Sequence, residues 1–218
     1  MMNRRELFSN LFSPVCQSAS LGPEYYTNAV LRTHEGEQVK FYDDLIKDKL
    51  VVINFMYANC TGTCPLTTSN LVKVQKELKD RVGRDIFMYS ITLKPQEDDP
   101  NALMEYAKMH NTGSGWLFLT GDAYDIDTIR FRLFRWEHPA LDLDVVQHTG
   151  MVRIINDRLD RWSMCPTMAR YGQILDAINW VEATPPFEEI FQANLRAQAR
   201  INEEAKGLHN ATLVGGGS

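Results

Sequence analysis

The chain has 218 residues, 44% of them hydrophobic and 23% charged, with a formal net charge of −5; that length suits one ordinary domain with tails and can bury a real core. The mild acidity excludes the basic stripe of a nucleic-acid-binding domain, and no apolar run reaches the roughly 20 residues of a membrane-spanning helix. Four cysteines are too few for a disulfide-stapled secreted scaffold.

The amino terminus, MMNRRELFSNLFSPVCQSAS, sets Arg4 and Arg5 before Leu7 and Phe8 in the manner of a twin-arginine export signal. Ser, Asn and Pro interrupt the apolar stretch that should follow, so residues 1–22 read as a leader or flexible tail. NAVLRTHEGEQVKFYDDL (28–45) holds two short strand-like runs around a polar turn at Gly36 and predicts a hairpin. LVVINFMY (50–57) is a continuous, β-rich apolar run, the pattern of a strand buried on both faces. After Cys64 and Pro65, the apolar residues Leu71, Val74, Leu78 and Val82 fall at helical spacing with Gly83 as the stop, which predicts a helix over 66–82. IFMYSI (86–91) reads as a second buried strand. Asp99 and Pro100 then supply an N-cap and a first-turn proline for a helix carrying Leu103, Tyr106 and Ala107. The acids of EDDPN and DIDT suit helix caps better than a calcium loop.

WLFLTG (116–121) predicts a third strand, with Ile126, Ile129 and Leu133 marking a helix behind it. GMVRIIN (150–156) predicts a fourth, and RLDRWSMC pairs with it across a turn at Asn156-Asp157. Ile174, Leu175, Ile178 and Val181 give a helix with one apolar face. A further helix is expected from Pro186 to about Lys206, with Phe187, Ile190, Phe191 and Leu195 on one side, before a flexible Gly-rich end. Strands alternating with helices, and ending in a hairpin and a helix, predict an α/β sandwich around a mixed central sheet.

The chemistry concentrates in YANCTGTCPLT (57–67). The order strand, CxxxCP, helix predicts that Cys60 and Cys64 sit at the end of a central strand on the first turn of a helix. Positions i and i+4 share a helical face, so the two sulfurs converge. Peptide dipoles at a helix N-terminus favour negative charge and are expected to lower one or both thiol pKa values. Convergent thiolates suit Cu(I), zinc or iron–sulfur chemistry, and a pair alone is too few for zinc or a cluster, so a third ligand matters. The same thiolates also suit disulfide exchange.

Residues 23–182 resemble the SCO/SenC copper-delivery proteins, which have a thioredoxin-like fold. The resemblance rests on VVINFMYANCTGTCP, SITLKPQEDDP, LFLTG and VQHTGMVRIIN. It implies a thioredoxin-like domain over 23–182, followed by a C-terminal helix and flexible tail over 183–218. It implies metal ligands Cys60, Cys64 and His148 and a copper ion as cargo. It implies as partner a copper-receiving protein, with a cytochrome c oxidase subunit as the usual recipient, and a periplasmic or cell-envelope location. Two departures from the family pattern stand out: Thr92 stands where the family usually has aspartate, with an insertion after it, and Gln147 replaces the aspartate beside the histidine.

The residues themselves agree about His148. A thioredoxin-type oxidoreductase carries a cis-proline in the loop facing its cysteines. Here that loop is DVVQHTG, without proline, and an imidazole there completes a two-sulfur, one-nitrogen set. Three such ligands suit Cu(I), and histidine also accommodates Cu(II). A thiol–disulfide oxidoreductase acting on a metal-receiving partner is the competing reading; a peroxidase-like thiol enzyme lacks the expected companion residues. Cys165, in WSMCPTMA, reads as a buried inert thiol, with a resolving thiol or auxiliary ligand as the alternative. His34, His110, His138 and His209 have no ligand partners in the sequence, and Met56, Met88 and Met104 fit core positions.

Overall fold

In the computed structural model, residues 22–134 and 150–182 are described. Residues 1–21, residues 135–149 and the segment from 183 onward, on which the helix expected over 186–206 falls, lie outside the described residues.

The first hairpin forms where its sequence supplies a left-handed turn. Strands β1 (Val30–Thr33) and β2 (Gln38–Lys40) pair antiparallel around Gly36, whose φ of +91° suits glycine. A short helix, α1 (Gly22–Tyr26), precedes them, and one π-helical turn over Phe41–Ile46 follows. Every residue of β3 (Leu50–Met56) is buried, as its unbroken apolar run predicts. Helix α2 (Cys64–Leu78) comes next, then a 3-10 turn (Lys79–Arg81) leading into β4 (Ile86–Thr92). The helix expected over 66–82 therefore starts at Cys64 itself and ends in a tightened last turn.

Helix α3 (Pro100–Met109) is capped as its sequence predicts: the Asp99 carboxylate accepts the Ala102 N–H at 2.8 Å. Strand β5 (Trp116–Gly121) and helix α4 (Ala123–Leu133) follow, the latter capped by Asp122. The later hairpin joins β6 (Met151–Asn156) to β7 (Arg161–Pro166) through a 3-10 turn over Asp157–Leu159. Helix α5 (Tyr171–Glu182) comes last among the described elements.

The strands form one seven-stranded mixed sheet in the order β2-β1-β5-β4-β3-β6-β7. β3 and β4 are neighbours and parallel, from Leu50 opposite Ile86 to Met56 opposite Thr92, as expected for two buried runs joined by a crossover helix. Alternation along β3 divides the core. Val52 and Met56 face a layer built by α2, α3 and α5, while Val51, Ile53 and Phe55 face α4 and the π-helical turn.

One patch inside this sheet is polar and fully paired. The Ser90 hydroxyl donates to Asn54 Oδ1 at 2.7 Å and accepts from Trp116 Nε1 at 2.9 Å, and all three residues are buried. A satisfied buried network of this kind fixes one register among the three parallel strands.

Gly83 and Gly115 meet backbone to backbone. A Cβ at Gly115 would lie 2.5 Å from the Gly83 nitrogen, and Gly115 has a φ of +80°. Gly115→Ala should therefore lower stability by about 2–3 kcal/mol, combining left-handed strain with overpacking. Gly36→Ala meets open space and should cost only about 1 kcal/mol. Urea unfolding at constant m-value measures both, and equal losses would show that the close approach carries no weight.

Candidate metal centre

β3 ends at Met56, and a loop over 57–63 carries the chain to α2. The Cys60 N–H donates to the Tyr57 carbonyl at 3.3 Å, folding this loop back on itself. Cys64 is the first residue of α2, with Thr63 as N-cap and Pro65 in the first turn. Cys60 lies on the loop. The expectation that both cysteines occupy one helical turn is thereby corrected: the folded loop, and not i,i+4 spacing, brings the sulfurs together. The Cys64 thiol is hydrogen-bonded to Cys60, and both residues are buried, 1% and 7% exposed respectively.

The expected lowering of the thiol pKa fails at Cys64. Burial is the largest influence and pushes the thiol up to about 12; the hydrogen bond to Cys60 and the charge there add to the rise. Backbone contacts at Tyr57 and at Cys64 itself oppose it only in part. A helix N-terminus contributes about 0.3–2 kcal/mol, less than the cost of placing a full charge in a dry, apolar setting.

Around the pair the polar groups are few. The Tyr106 hydroxyl pairs with Thr68 at 2.8 Å. Its pKa is pushed up to about 12 by burial, with the charges at Cys64, Cys60 and Asp98 adding to it. Asp98 reaches the same region: it accepts the Ala58 N–H at 3.0 Å, two residues before Cys60, and a hydrogen bond from the Thr92 hydroxyl. The sequence offered no way to single out Asp98 from the acidic run that also caps α3.

On the other side, α2 is tied to the end of β7. The Thr67 hydroxyl donates to Thr167 Oγ1 at 3.1 Å, and the Asn70 amide donates to the carbonyls of Thr167 and Ala169 at 2.8 and 2.7 Å. Thr167 in turn donates to the Gly150 carbonyl from its N–H at 2.7 Å and its hydroxyl at 3.0 Å. Cys165, opposite Val152 on β6, is buried in the same apolar layer as Cys60 and Cys64, and burial pushes its thiol up as well.

His148 lies outside the described residues, as do His138 and His209. His34 accepts the Phe118 N–H at its Nδ1 at 3.2 Å, and His110 packs its ring on Tyr106 with centroids 4.3 Å apart. Burial lowers the pKa of both. Among the described residues, no three His, Cys, Asp or Glu side chains gather as a metal-binding group.

A family model described as SCO1/SenC matches residues 21–182. The SCO1 protein homolog of Bacillus subtilis strain 168 is 28% identical to this chain over 158 residues, covering 71% of this chain and 73% of that protein. Among solved structures, BsSco, a member of the Sco family of cytochrome c oxidase assembly proteins with a disulfide switch, aligns at a TM-score of 0.57 and 20% identity, covering 72% of this chain and 92% of its own. Yeast Sco1 with copper bound aligns at a TM-score of 0.57 and 19% identity, covering 73% of this chain and 94% of its own. The likeness to these structures is one of fold, and the fold is thioredoxin-like, as expected.

Burial of Cys64 has a measurable consequence. In the reduced, metal-free protein at pH 7.5, a thiol held near 12 instead of 9.0 should react with iodoacetamide about a thousandfold more slowly than in the unfolded chain, because the thiolate is the nucleophile. The rate should climb only in strongly alkaline solution. Since the folded pKa lies above the unfolded one, the thiol stabilises the fold fully below about pH 9 and loses that contribution as pH rises towards 12. Labelling of Cys64 at the unfolded rate at pH 7.5, read by peptide mass mapping, would contradict this account.

Proposed function

The chain belongs to the SCO1/SenC family, and on that premise we propose that it is a copper chaperone. It holds one copper ion at Cys60, Cys64 and His148 and passes it to a partner metalloprotein by ligand exchange. The observation that carries this reading is the pair of buried cysteines, hydrogen-bonded to each other at the mouth of α2. Two soft donors held together suit Cu(I), and metal uptake displaces their protons.

His148 is the nitrogen donor of this reading. Gly150 is tied through Thr167 to Thr67, one turn from Cys64, and two residues of extended chain reach about 7 Å. A ligand two positions before Gly150 is therefore compatible with the sulfur pair. Its nitrogen favours Cu(II) more than the sulfurs do. Copper bound in yeast Sco1 and the oxidase-assembly role of BsSco support copper as cargo and a cytochrome c oxidase subunit as recipient. The site of action in this reading is the cell envelope.

A second reading is thiol–disulfide exchange with the cysteines of a metal-receiving partner. The observation favouring it is the same contact between Cys60 and Cys64, which sets two sulfurs where a disulfide forms on oxidation. One pair can serve both roles in succession.

Elemental analysis of reduced protein after copper loading should give one copper per chain. Cys60→Ser or Cys64→Ser should abolish tight binding, since one soft donor cannot hold Cu(I). His148→Ala should weaken binding about 10- to 100-fold and most affect the Cu(II) form, while His34→Ala and His110→Ala should change little. Wild-type copper stoichiometry and affinity in the Cys60→Ser, Cys64→Ser double variant would refute the proposed site. Disulfide exchange with a dithiol peptide that survives His148→Ala, while copper binding falls, would separate the two roles.

A further inference from the structure

Asp98 is a carboxylate at 1% exposure, where acids rarely sit without a strong reason. The chain folds to bring it there. Leu93 N–H donates to the Met56 carbonyl at 2.7 Å, Lys94 N–H donates to Thr92 Oγ1 at 2.9 Å, and Asp98 N–H donates to the Lys94 carbonyl at 2.9 Å. The turn after β4 thus carries residue 98 back to the strand end, beside the loop that bears Cys60. There Asp98 Oδ2 takes two neutral donors, the Ala58 N–H at 3.0 Å and the Thr92 hydroxyl.

We propose that Asp98 is the positioning residue of the dithiol site. Its carboxylate fixes the start of the Cys60 loop through Ala58 and so sets the approach of the Cys60 sulfur to Cys64. This rests on the reading of Cys60 and Cys64 as the working pair. Cys64 is held by α2, but Cys60 sits on a loop anchored near its start by the Ala58–Asp98 bond. Functional geometry needs placement to about 0.5 Å, and a charged acceptor holds an N–H about twice as strongly as a neutral one. Thr92 completes the anchor by orienting the carboxylate. The carboxylate that acts on the end of β4 therefore comes from residue 98, while residue 92 contributes a hydroxyl.

The test compares wild type, Asp98→Asn, Thr92→Val, and the double variant Thr92→Asp, Asp98→Asn, which moves the carboxylate to the neighbouring side chain. The metal-free readout is the equilibrium in which the Cys60–Cys64 disulfide and two glutathione molecules give the dithiol and glutathione disulfide. Asp98→Asn keeps the shape but weakens the anchor, so the closed disulfide should become about tenfold easier to reduce, near the lower end of what losing a supporting contact costs a site. Cu(I) affinity, read by competition with bicinchoninate, should fall by a similar factor. The double variant should recover most of both losses, and Thr92→Val should shift both in the same direction by less.

An Asp98→Asn protein within twofold of wild type in both readouts would overturn the proposal. So would losses that track the thermal midpoint and do not recover in the double variant, which marks a residue that only supports the fold. If Asp98→Asn does not fold, Thr92→Val decides: no shift in the disulfide equilibrium overturns the proposal. If wild type takes up no Cu(I) but the disulfide equilibrium shifts and recovers as described, the role of Asp98 stands and the copper reading falls.

Discussion

The two-sided burial of β3 is the constraint on which the rest of the molecule depends. All seven residues from Leu50 to Met56 are buried, so the sheet must be covered on both faces and β3 must have a partner on each edge. β4 fills one edge and β6 the other. A parallel partner for β3 demands a crossover element, and α2 is that element. The loop leaving β3 and the first turn of the crossover helix therefore meet at one end of the sheet. The cysteines stand at that junction because the parallel pairing puts a strand end and a helix start side by side.

Two physical effects compete there, and their magnitudes decide the state of the thiols. A helix N-terminus draws negative charge, which suggests ready thiolates. The same architecture that presents the helix start also buries it, leaving Cys64 at 1% exposure. Desolvation wins, and the Cys64 thiol holds its proton at neutral pH. In the proposed copper site an incoming cation would restore the balance, because it would supply the charge that the burial denies to the thiolates. Burial thus keeps the Cys64 thiol slow towards stray electrophiles.

Most of the fold was legible in the sequence because its signals are local. The apolar runs at 50–57 and 86–91, the Asp99-Pro100 start of α3 and the turn at Gly36 each follow from rules that act over a few residues, and each stands where it was expected. The site was legible in residue type and less so in geometry. CxxxCP reads as two cysteines on a helix, yet Pro65 and the cap at Thr63 place the helix start at the second one, and only the folded loop brings Cys60 back. Asp98 was invisible for another reason: its role comes from a turn that returns it to residues 92 and 58, and no periodicity records such a return.

The placement of the two sulfurs on unlike supports has a consequence for what the pair can do. In a disulfide the sulfurs stand about 2.05 Å apart, whereas two thiolates on one metal ion, each at about 2.3 Å from it, stand as much as twice that distance apart. In the proposed roles, passing between the closed and the metal-holding states would need a sulfur displacement of more than about 1 Å. Thr67 and Asn70 tie the start of α2 to Thr167 and Ala169, so in the proposed site that displacement would fall to Cys60, on a loop held at its start by the Ala58–Asp98 bond. One sulfur stands on a helix and the other on a loop, an arrangement that would suit a site that takes up an ion, releases it and closes as a disulfide.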